Sequence, residues 1–207
     1  MCMRMGEEGE MIENRVDVLC PGMIVRDGPL ILEARSSATL VSRGERHLLV
    51  DVSGPQNRTV LLDALRSRGI SPEQIEMVVL THLHHDHDGN LDIFPHAKKY
   101  AHKLESPGPS FEVVSDDFDI WEGVRLMHTP GHTRGGMSVL VRSDETYALV
   151  GDAIPSVDNV RKWVPPGLHY DADVALASMS KLVRMADVIV PGHGPPFRTA
   201  EFRKEGR

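Results

Sequence analysis

The sequence predicts an α+β fold in which two β-sheets pack against each other and helices cover their outer faces. Most of the apolar runs have the length of strands and are separated by turn residues. Two amphipathic helices are predicted, at 59–68 and 171–185, and each follows a group of strands. With 207 residues the chain can build one substantial core, and it is too short for two ordinary domains with linkers. We therefore expect one domain over 1–207.

The first half of the chain alternates apolar runs with turn residues. Strands are predicted at 16–19, 31–41, 47–52 and 77–80, with turns near Gly22, Gly28 and Gly44. The apolar residues of 59–68 recur at helical spacing, and Gly69 is placed to cap that helix at its C-terminus. A short helical turn is predicted at 90–94.

Strands dominate the second half as well, at 98–101, 111–114, 118–121, 124–128, 137–141 and 147–150. Residues 152–171 read as a long loop, and a loop of this length inside a compact domain is usually functional. Asp171 is the predicted cap of the second helix, and 188–190 is a last buried strand. The ends, 1–14 and 199–207, are expected to be a frayed segment and a charged tail.

Composition and charge exclude several classes of protein. The formal net charge of −7, without a basic run, argues against a general nucleic-acid binder. No apolar stretch is long enough for a membrane span, and the acidic N-terminus lacks the apolar region of a signal peptide. Cys2 and Cys20 do not form a disulfide framework. A cytoplasmic location is expected.

Chemistry is concentrated at 82–88, where four histidines and two acids fall within seven residues, directly after the apolar run that ends at Leu80. Residues at i and i+2 of an extended chain point the same way, so His82 and His84 can bind one metal ion. Asp86 and His87 would face a second point once the chain turns. The alternative is a solvated loop that happens to be rich in histidine. Further strand-end ligands at His132, Asp152 and His193 argue against that alternative.

The set His82-x-His84-x-Asp86-His87, followed by His132, Asp152 and His193, resembles the metallo-β-lactamase-fold hydrolases over about 16–193. The resemblance implies a four-layer αβ/βα sandwich. It also implies two divalent metal ions, with Asp152 bridging them. One ion would be held by His82, His84 and His132, and the other by Asp86, His87 and His193. Zinc is the expected metal, with iron or manganese as alternatives.

Finer signatures lie at 81–95 and 186–197, and they resemble the group of metallo-β-lactamase domain-containing protein 1 and its microbial relatives. Animal members of that group are linked with RNA endonuclease activity, but the acidic charge of this chain disfavours RNA. Asp51 matches an acid that the family places after an early strand. It would either orient a metal ligand or form a structural turn, and both interpretations remain open.

The implied chemistry is hydrolysis. Two divalent ions that share a water lower its pKa, so that a metal-bridged hydroxide can attack an ester, thioester, lactone or phosphodiester near neutral pH. Asp86 is the candidate catalytic residue, as acceptor of the proton of that water. An iron-dependent persulfide dioxygenase, with one iron held by His82, His132 and Asp152, is the alternative enzyme. A catalytically inactive, metal-binding interaction protein is the alternative outside enzymes.

A small-molecule substrate is expected, and a homodimer could supply pocket walls that a short chain lacks. The candidate substrate contacts lie in the long loop, at Lys162, Trp163, His169 and Tyr170, with an inert flap as the alternative interpretation. Three further histidines, His47, His96 and His102, are expected at the surface.

Overall fold

The structure is a computed structural model that describes residues 13–28 and 30–203. Its strands are β1 Arg15–Cys20, β2 Met23–Asp27, β3 Leu30–Arg35, β4 Ala38–Arg43, β5 Arg46–Val50, β6 Met77–Val79, β7 Lys98–His102, β8 Phe111–Val114, β9 Phe118–Trp121, β10 Val124–His128, β11 Met137–Arg142, β12 Thr146–Gly151, β13 Val188–Pro191 and β14 Phe197–Arg198. Its α-helices are α1 Arg58–Arg66, α2 His85–Asp88, α3 Val157–Lys162, α4 Ala172–Met185 and α5 Ala200–Arg203.

Two six-stranded sheets form the centre of the molecule. The first has the order β1-β4-β5-β6-β7-β8, and the second has the order β14-β13-β12-β11-β10-β9. Strands β5 to β8 run parallel, as do β12 and β13, whereas the remaining neighbours within these two sheets are antiparallel. A separate two-stranded hairpin, β2–β3, lies outside both sheets.

Three buried clusters define four layers. The first cluster joins the facing sides of the two sheets, for example Val50 and Val79 with Leu126 and Val190. The second packs Leu61 and its neighbours on α1 against the outer face of the first sheet. The third packs α3, α4 and α5 against the outer face of the second sheet. The order helix, sheet, sheet, helix is the predicted αβ/βα sandwich, which is confirmed.

The helices follow from their sequences. On α1, the Leu61 and Leu65 side chains are fully buried and lie four residues apart, so they share one face. The Asp171 carboxylate accepts a hydrogen bond from the Val174 backbone N–H at 3.0 Å and caps α4, as predicted. Gly69 has φ +71°, a conformation that glycine adopts at low cost after a helix. None of the helices in the described part of the chain is long and apolar enough to cross a membrane.

The predicted strand 31–41 is two strands rather than one. The chain leaves β3 at Ser36 and Ser37, whose backbone N–H groups donate to the Asp86 and Gly192 carbonyls at 3.0 and 2.8 Å. It then enters β4 in the first sheet. Strand β2 was not predicted, although Gly28 between two apolar runs is a hairpin signal. Helix α3 was not predicted either, so 152–171 is only partly loop.

Both predicted ends need correction within the described residues. Asn14 is buried, accepts a hydrogen bond from the Trp121 indole at 2.8 Å and donates to two backbone carbonyls, so the chain is anchored from that residue. The predicted tail begins with the buried Thr199 and continues as α5, on which Phe202 is buried in the third cluster. Residues 1–12 and 204–207 lie outside the described part of the chain.

Two of the predicted surface histidines are buried. His47 is 7% exposed and His102 is 2% exposed, whereas His96 is at the surface as expected. His47 shares a hydrogen bond of 2.9 Å with the Ser42 hydroxyl on the neighbouring strand. His102 stacks on His128 with the ring centres 4.2 Å apart. Periodicity along one strand cannot reveal these contacts, because the partners come from other strands.

Candidate metal centre

The sheet topology brings five strand ends to one rim. Strands β10 and β12 both run antiparallel to β11, and β12 is parallel to β13, so all three end on the same side. Strands β5 and β6 of the first sheet are likewise parallel. The residues that follow these strands include Asp51, His82, His132, Asp152 and His193.

Backbone hydrogen bonds tie the two sheets together at this rim. The Thr81 carbonyl accepts from Met137 N–H at 2.8 Å, and the Gly192 carbonyl accepts from Ser37 N–H at 2.8 Å. These bonds cross between segments that are far apart in sequence. The loops that carry the candidate ligands are therefore held in one place before any ion binds.

One group of ring nitrogens belongs to His82, His84 and His132. The His84 Nδ1 lies 3.0 Å from His82 Nε2 and 3.1 Å from His132 Nε2. All three rings meet edge to face, with centres 4.5 to 4.9 Å apart. The three nitrogens converge on a single point, as the ligands of one metal ion must.

A second group consists of Asp86, His87 and His193. The Asp86 Oδ2 atom lies 3.4 Å from His193 Nε2 and 4.0 Å from His87 Nε2. The ligand atoms of this group all lie within 4.8 Å of one another. Helix α2 begins immediately after His84 and places Asp86 and His87 beside His193. The centre of the His87 ring also lies 4.0 Å from that of the His82 ring, and His82, His87 and Asp152 form a third possible ligand group between the other two.

The Asp152 carboxylate lies between the two groups. Its Oδ1 atom is 3.2 Å from His193 Nε2 and 3.6 Å from His87 Nε2. Its Oδ2 atom is 3.6 Å from His132 Nε2. One oxygen therefore faces each group.

Hydrogen bonds at the far side of each ring fix how the histidines present their ligand nitrogens. The Asp51 Oδ2 atom is 2.8 Å from His87 Nδ1, and Asp51 also accepts from the Thr81 backbone N–H and hydroxyl, both at 2.8 Å. Backbone carbonyls accept from His132 Nδ1 at 2.7 Å and from His193 Nδ1 at 3.1 Å. Because Nδ1 is the bonded nitrogen on the far side, Nε2 is the nitrogen that His87, His132 and His193 turn toward the site.

The pKa directions follow from burial and from these neighbours. Burial lowers the pKa of His82 well below its usual value and also lowers that of His84, so both rings stay neutral. Burial opposes the charge of His87, yet Asp51 and Asp152 outweigh it and hold the His87 pKa well above its usual value. Burial likewise opposes the charge of Asp152, but His193 and His87 hold the Asp152 pKa well below its usual value.

The residues fit a metal site by a further criterion. His87 Nε2 and Asp152 Oδ1 are buried, and within the described part of the chain neither has a hydrogen-bond partner. Buried polar atoms of this kind are costly unless something else satisfies them. A divalent cation between the imidazole and carboxylate donors would do so, and the donor set suits such an ion.

A cavity of about 130 Å³ opens onto the two groups. Its walls come from the hairpin β2–β3, from Pro155 before α3 and from the loop after α3. The other lining residues beside the ligands are Ile24, Arg26, Ile31, Ala34, Pro166, Gly167 and Leu168. The hairpin wall was not foreseen from the sequence, because β2 was not predicted.

The long loop reaches this cavity through residues other than the predicted ones. Trp163 packs on the third core cluster, and Lys162 forms an ion pair of 2.9 Å with Asp158. His169 Nδ1 is 2.6 Å from the Pro166 carbonyl, and the Tyr170 ring lies under the Arg134 guanidinium. None of these four is among the described residues that line the cavity. Substrate contact by Lys162, Trp163, His169 or Tyr170 stays a prediction.

Sequence reasoning also missed Glu105. Its two carboxylate oxygens accept from Gly135 N–H at 2.9 Å and from Leu83 N–H at 3.3 Å. The side chain therefore connects the loop of the first two histidines to the loop that carries His132. No local pattern marks this role, since it depends on three segments that meet only in the folded chain.

Fold and site together define a class of protein. Residues 33–193 match the model of the Metallo-beta-lactamase superfamily, and the chain belongs to that superfamily. It is a metal-dependent hydrolase of this superfamily, and its clustered histidines and aspartates could hold divalent metal ions.

Individual relatives and solved structures are similar to most of the chain. The chain is 35% identical to metallo-beta-lactamase domain-containing protein 1 of Xenopus laevis over 89% of this chain and 82% of that protein. It is 33% identical to a probable metallo-hydrolase of Methanocaldococcus jannaschii over 87% of each. Among solved structures, a mutant of B. thuringiensis AiiA with N-decanoyl-L-homoserine at its active site has a TM-score of 0.70 at 18% identity. That alignment covers 94% of this chain and 96% of the other, and it shows a shared fold.

Proposed function

We propose that this protein is a binuclear hydrolase of small carboxylic esters, thioesters or lactones. The observation that carries the proposal is the position of Asp152, whose Oδ2 atom faces His132 and whose Oδ1 atom faces His193. A carboxylate in that position is suited to bridge two ions. In the proposed assignment, His82, His84 and His132 hold one ion, and Asp86, His87 and His193 hold the other. Zinc suits these imidazole and carboxylate donors.

Two divalent ions in this site would supply a water of lowered pKa and positive charge for the oxyanion that forms on a carbonyl substrate. The chain's own residues supply the rest. Asp86 is partly exposed, with 25% of its side chain accessible, so it can accept the proton of the attacking water and return it to solvent. Asp51 keeps His87 oriented through the bond to Nδ1.

A small substrate is supported by the size and surroundings of the cavity. The cavity of about 130 Å³ is small and opens between the hairpin and the loop, so we expect the reacting group to lie inside it and the rest of a substrate to extend between those two walls. The walls there are largely apolar, from Ile24, Ile31 and Leu168. RNA would need several phosphate contacts, and the net charge of −7 opposes them.

The first experiment is to count the metals in protein purified without added metal, and then to replace Asp152. Two zinc ions per chain are expected. Asp152→Ala should abolish turnover of any confirmed ester or lactone while circular dichroism remains that of the folded protein. Asp116→Ala, which removes an exposed carboxylate, is the matched control and should retain full activity. Unchanged turnover in Asp152→Ala would contradict the bridging role.

The same metal count decides between the alternatives. One iron per chain, with oxygen uptake on a persulfide, would replace the hydrolase by a persulfide dioxygenase. Two zinc ions without turnover on esters, thioesters, lactones or phosphodiesters would favour a metal-binding interaction protein. Turnover of a phosphodiester alone would keep the binuclear site and change the substrate class.

A further inference from the structure

One wall of the cavity is a face of the β2–β3 hairpin. Ile24 pairs with Ala34 across the hairpin, and Arg26 pairs with Ile31. Cross-strand partners lie on the same face, and residues two apart on a strand share it too. All four side chains line the cavity. The hairpin therefore presents three apolar side chains and one guanidinium to the site.

Arg26 has no partner of its own within residues 13–28 and 30–203, where it makes neither a hydrogen bond nor an ion pair. The other arginine of the hairpin behaves differently, because Arg35 donates to Asn57 Oδ1 at 2.9 Å and lies 3.6 Å from Glu33. Arg35 supports the fold, whereas the Arg26 guanidinium is left available.

The Arg26 guanidinium lies close to the opposite wall of the cavity. A Cβ placed on Gly167, in the loop after α3, would lie 3.9 Å from an Arg26 guanidinium nitrogen. The arginine thus reaches from the hairpin toward the loop, across the opening of the cavity. Leu168, the next residue of that loop, is 65% exposed and lies beside the same opening. Leu168 and Arg26 together offer an apolar surface and a positive charge at the same opening.

We propose that Arg26 binds an anionic oxygen group of the substrate, a carboxylate or a phosphate, while Ile24, Ile31 and Leu168 contact the adjoining hydrocarbon. The guanidinium fork matches two oxygens of such a group, and Arg26 is exposed and so accessible to it. The inference rests on the proposed hydrolase and narrows its substrates to acidic esters, thioesters or lactones with an apolar chain. The ester is held with its carbonyl at the metal site and its anionic end at Arg26.

Hydrolysis of matched esters is the first test. Mono-4-nitrophenyl adipate and 4-nitrophenyl hexanoate have the same chain length and differ in a terminal carboxylate. The wild-type protein should prefer the adipate ester, and Arg26→Gln should reduce that preference in kcat/KM by about tenfold or more, mainly through KM. Arg26→Lys should keep more of the preference for the adipate ester than Arg26→Gln does, because lysine retains the positive charge. It should keep less than the wild type, because lysine lacks the two-pronged guanidinium. Arg184→Gln, an exposed arginine on α4, is the control and should keep the wild-type preference.

Binding of thiols separates this inference from the proposed function. In metal-loaded protein, 6-mercaptohexanoic acid, 6-mercaptohexyl phosphate and 6-mercaptohexan-1-ol all offer a thiol to the metal, and only the first two carry an anion. Isothermal titration calorimetry should show an anionic thiol bound at least tenfold more tightly than the alcohol, and Arg26→Gln should remove that difference. The anionic thiol whose affinity falls more in Arg26→Gln identifies whether Arg26 binds a carboxylate or a phosphate.

The ester and thiol measurements distinguish a failure of the proposed hydrolase from a failure of the proposed role of Arg26. If no ester is hydrolysed but Arg26→Gln still removes the preference for an anionic thiol, the hydrolase proposal fails and the role of Arg26 stands. If both anions bind no better than the alcohol, or Arg26→Gln weakens all three thiols equally, the role of Arg26 is overturned.

Discussion

Replacing Gly192 by alanine should destroy the metal centre without altering any candidate ligand. Gly192 lies between Pro191 and His193, in the loop after β13. A Cβ at this position would lie 2.1 Å from Asp152 Oδ1, the oxygen that faces His193 and His87. Ordinary contact begins at 3.4 Å, so the carboxylate must move by more than 1 Å. The backbone cannot give way easily, because the Gly151 carbonyl group is 3.0 Å away on the same side.

The expected loss of metal affinity in Gly192→Ala can be estimated from coordination geometry. Metal–oxygen distances at such sites tolerate changes of only about 0.2 Å, so a shift of this size would prevent Asp152 from acting as the bridging ligand proposed above. We expect metal affinity to fall by about a hundredfold or more, since loss of a supporting contact alone costs about 10- to 100-fold. Overpacking should also destabilise the fold by about 1–3 kcal/mol. For a chain of this size that corresponds to a Tm lower by about 2–12 °C.

Gly194→Ala is the matched control, two residues further along the same loop. A Cβ there would meet its nearest atom at 3.7 Å, which is ordinary van der Waals contact. Metal content by mass spectrometry after dialysis, together with Tm by calorimetry, should separate the two variants. Metal bound by Gly192→Ala with wild-type affinity, or an equal loss of metal in Gly194→Ala, would contradict this prediction.

Two further predictions concern the buried residues Asp51 and Cys20. Asp51→Asn places an amide where His87 Nδ1 needs an acceptor, so chelator competition should show metal binding weaker by about 10- to 100-fold. Asp88→Asn is the same change at a partly exposed residue of α2 that pairs with His85, and it should bind metal as the wild type does. Burial raises the pKa of the Cys20 thiol from 9.0 to about 11, partly offset by Arg35. Because the folded pKa is the higher one, the stabilisation is complete below about pH 9 and is lost as pH rises toward 11. Denaturant unfolding should therefore show about 2–3 kcal/mol more alkaline destabilisation in wild type than in Cys20→Ala, and equal pH profiles would contradict this.

Much of the fold was readable from local pattern. The strand before His82 is a short apolar run, and α4 carries a capping aspartate and a buried stripe that includes Leu182 and Val183. Such elements were predicted because their signals lie within a few residues of one another. The hairpin strand β2 and the short helix α3 were missed. Both are short and partly exposed, so burial imposes little periodicity on them.

The sequence by itself determined the kinds of ligand and their places at strand ends. The histidines at 82 and 84 and the acid at 152 can be recognised as possible metal ligands without a structure, and the order of the whole ligand set resembles one superfamily. Those features were sufficient to predict an αβ/βα sandwich and a site for divalent ions. They did not depend on knowing any distance.

Only the tertiary structure decided how those residues face one another and what surrounds them. The division of the Asp152 oxygens between two groups depends on β12 and β13 being parallel neighbours, and on β6 ending at the same rim of the other sheet. The left-handed φ of +56° at Asp51 is held by bonds to Thr81 and His87, neither of which is adjacent in sequence. The place of Arg26 at the cavity likewise needs the hairpin and the loop together. Contacts between distant segments produce no periodic pattern in the sequence, because they depend on how the segments pack in the folded chain and not on neighbouring residues.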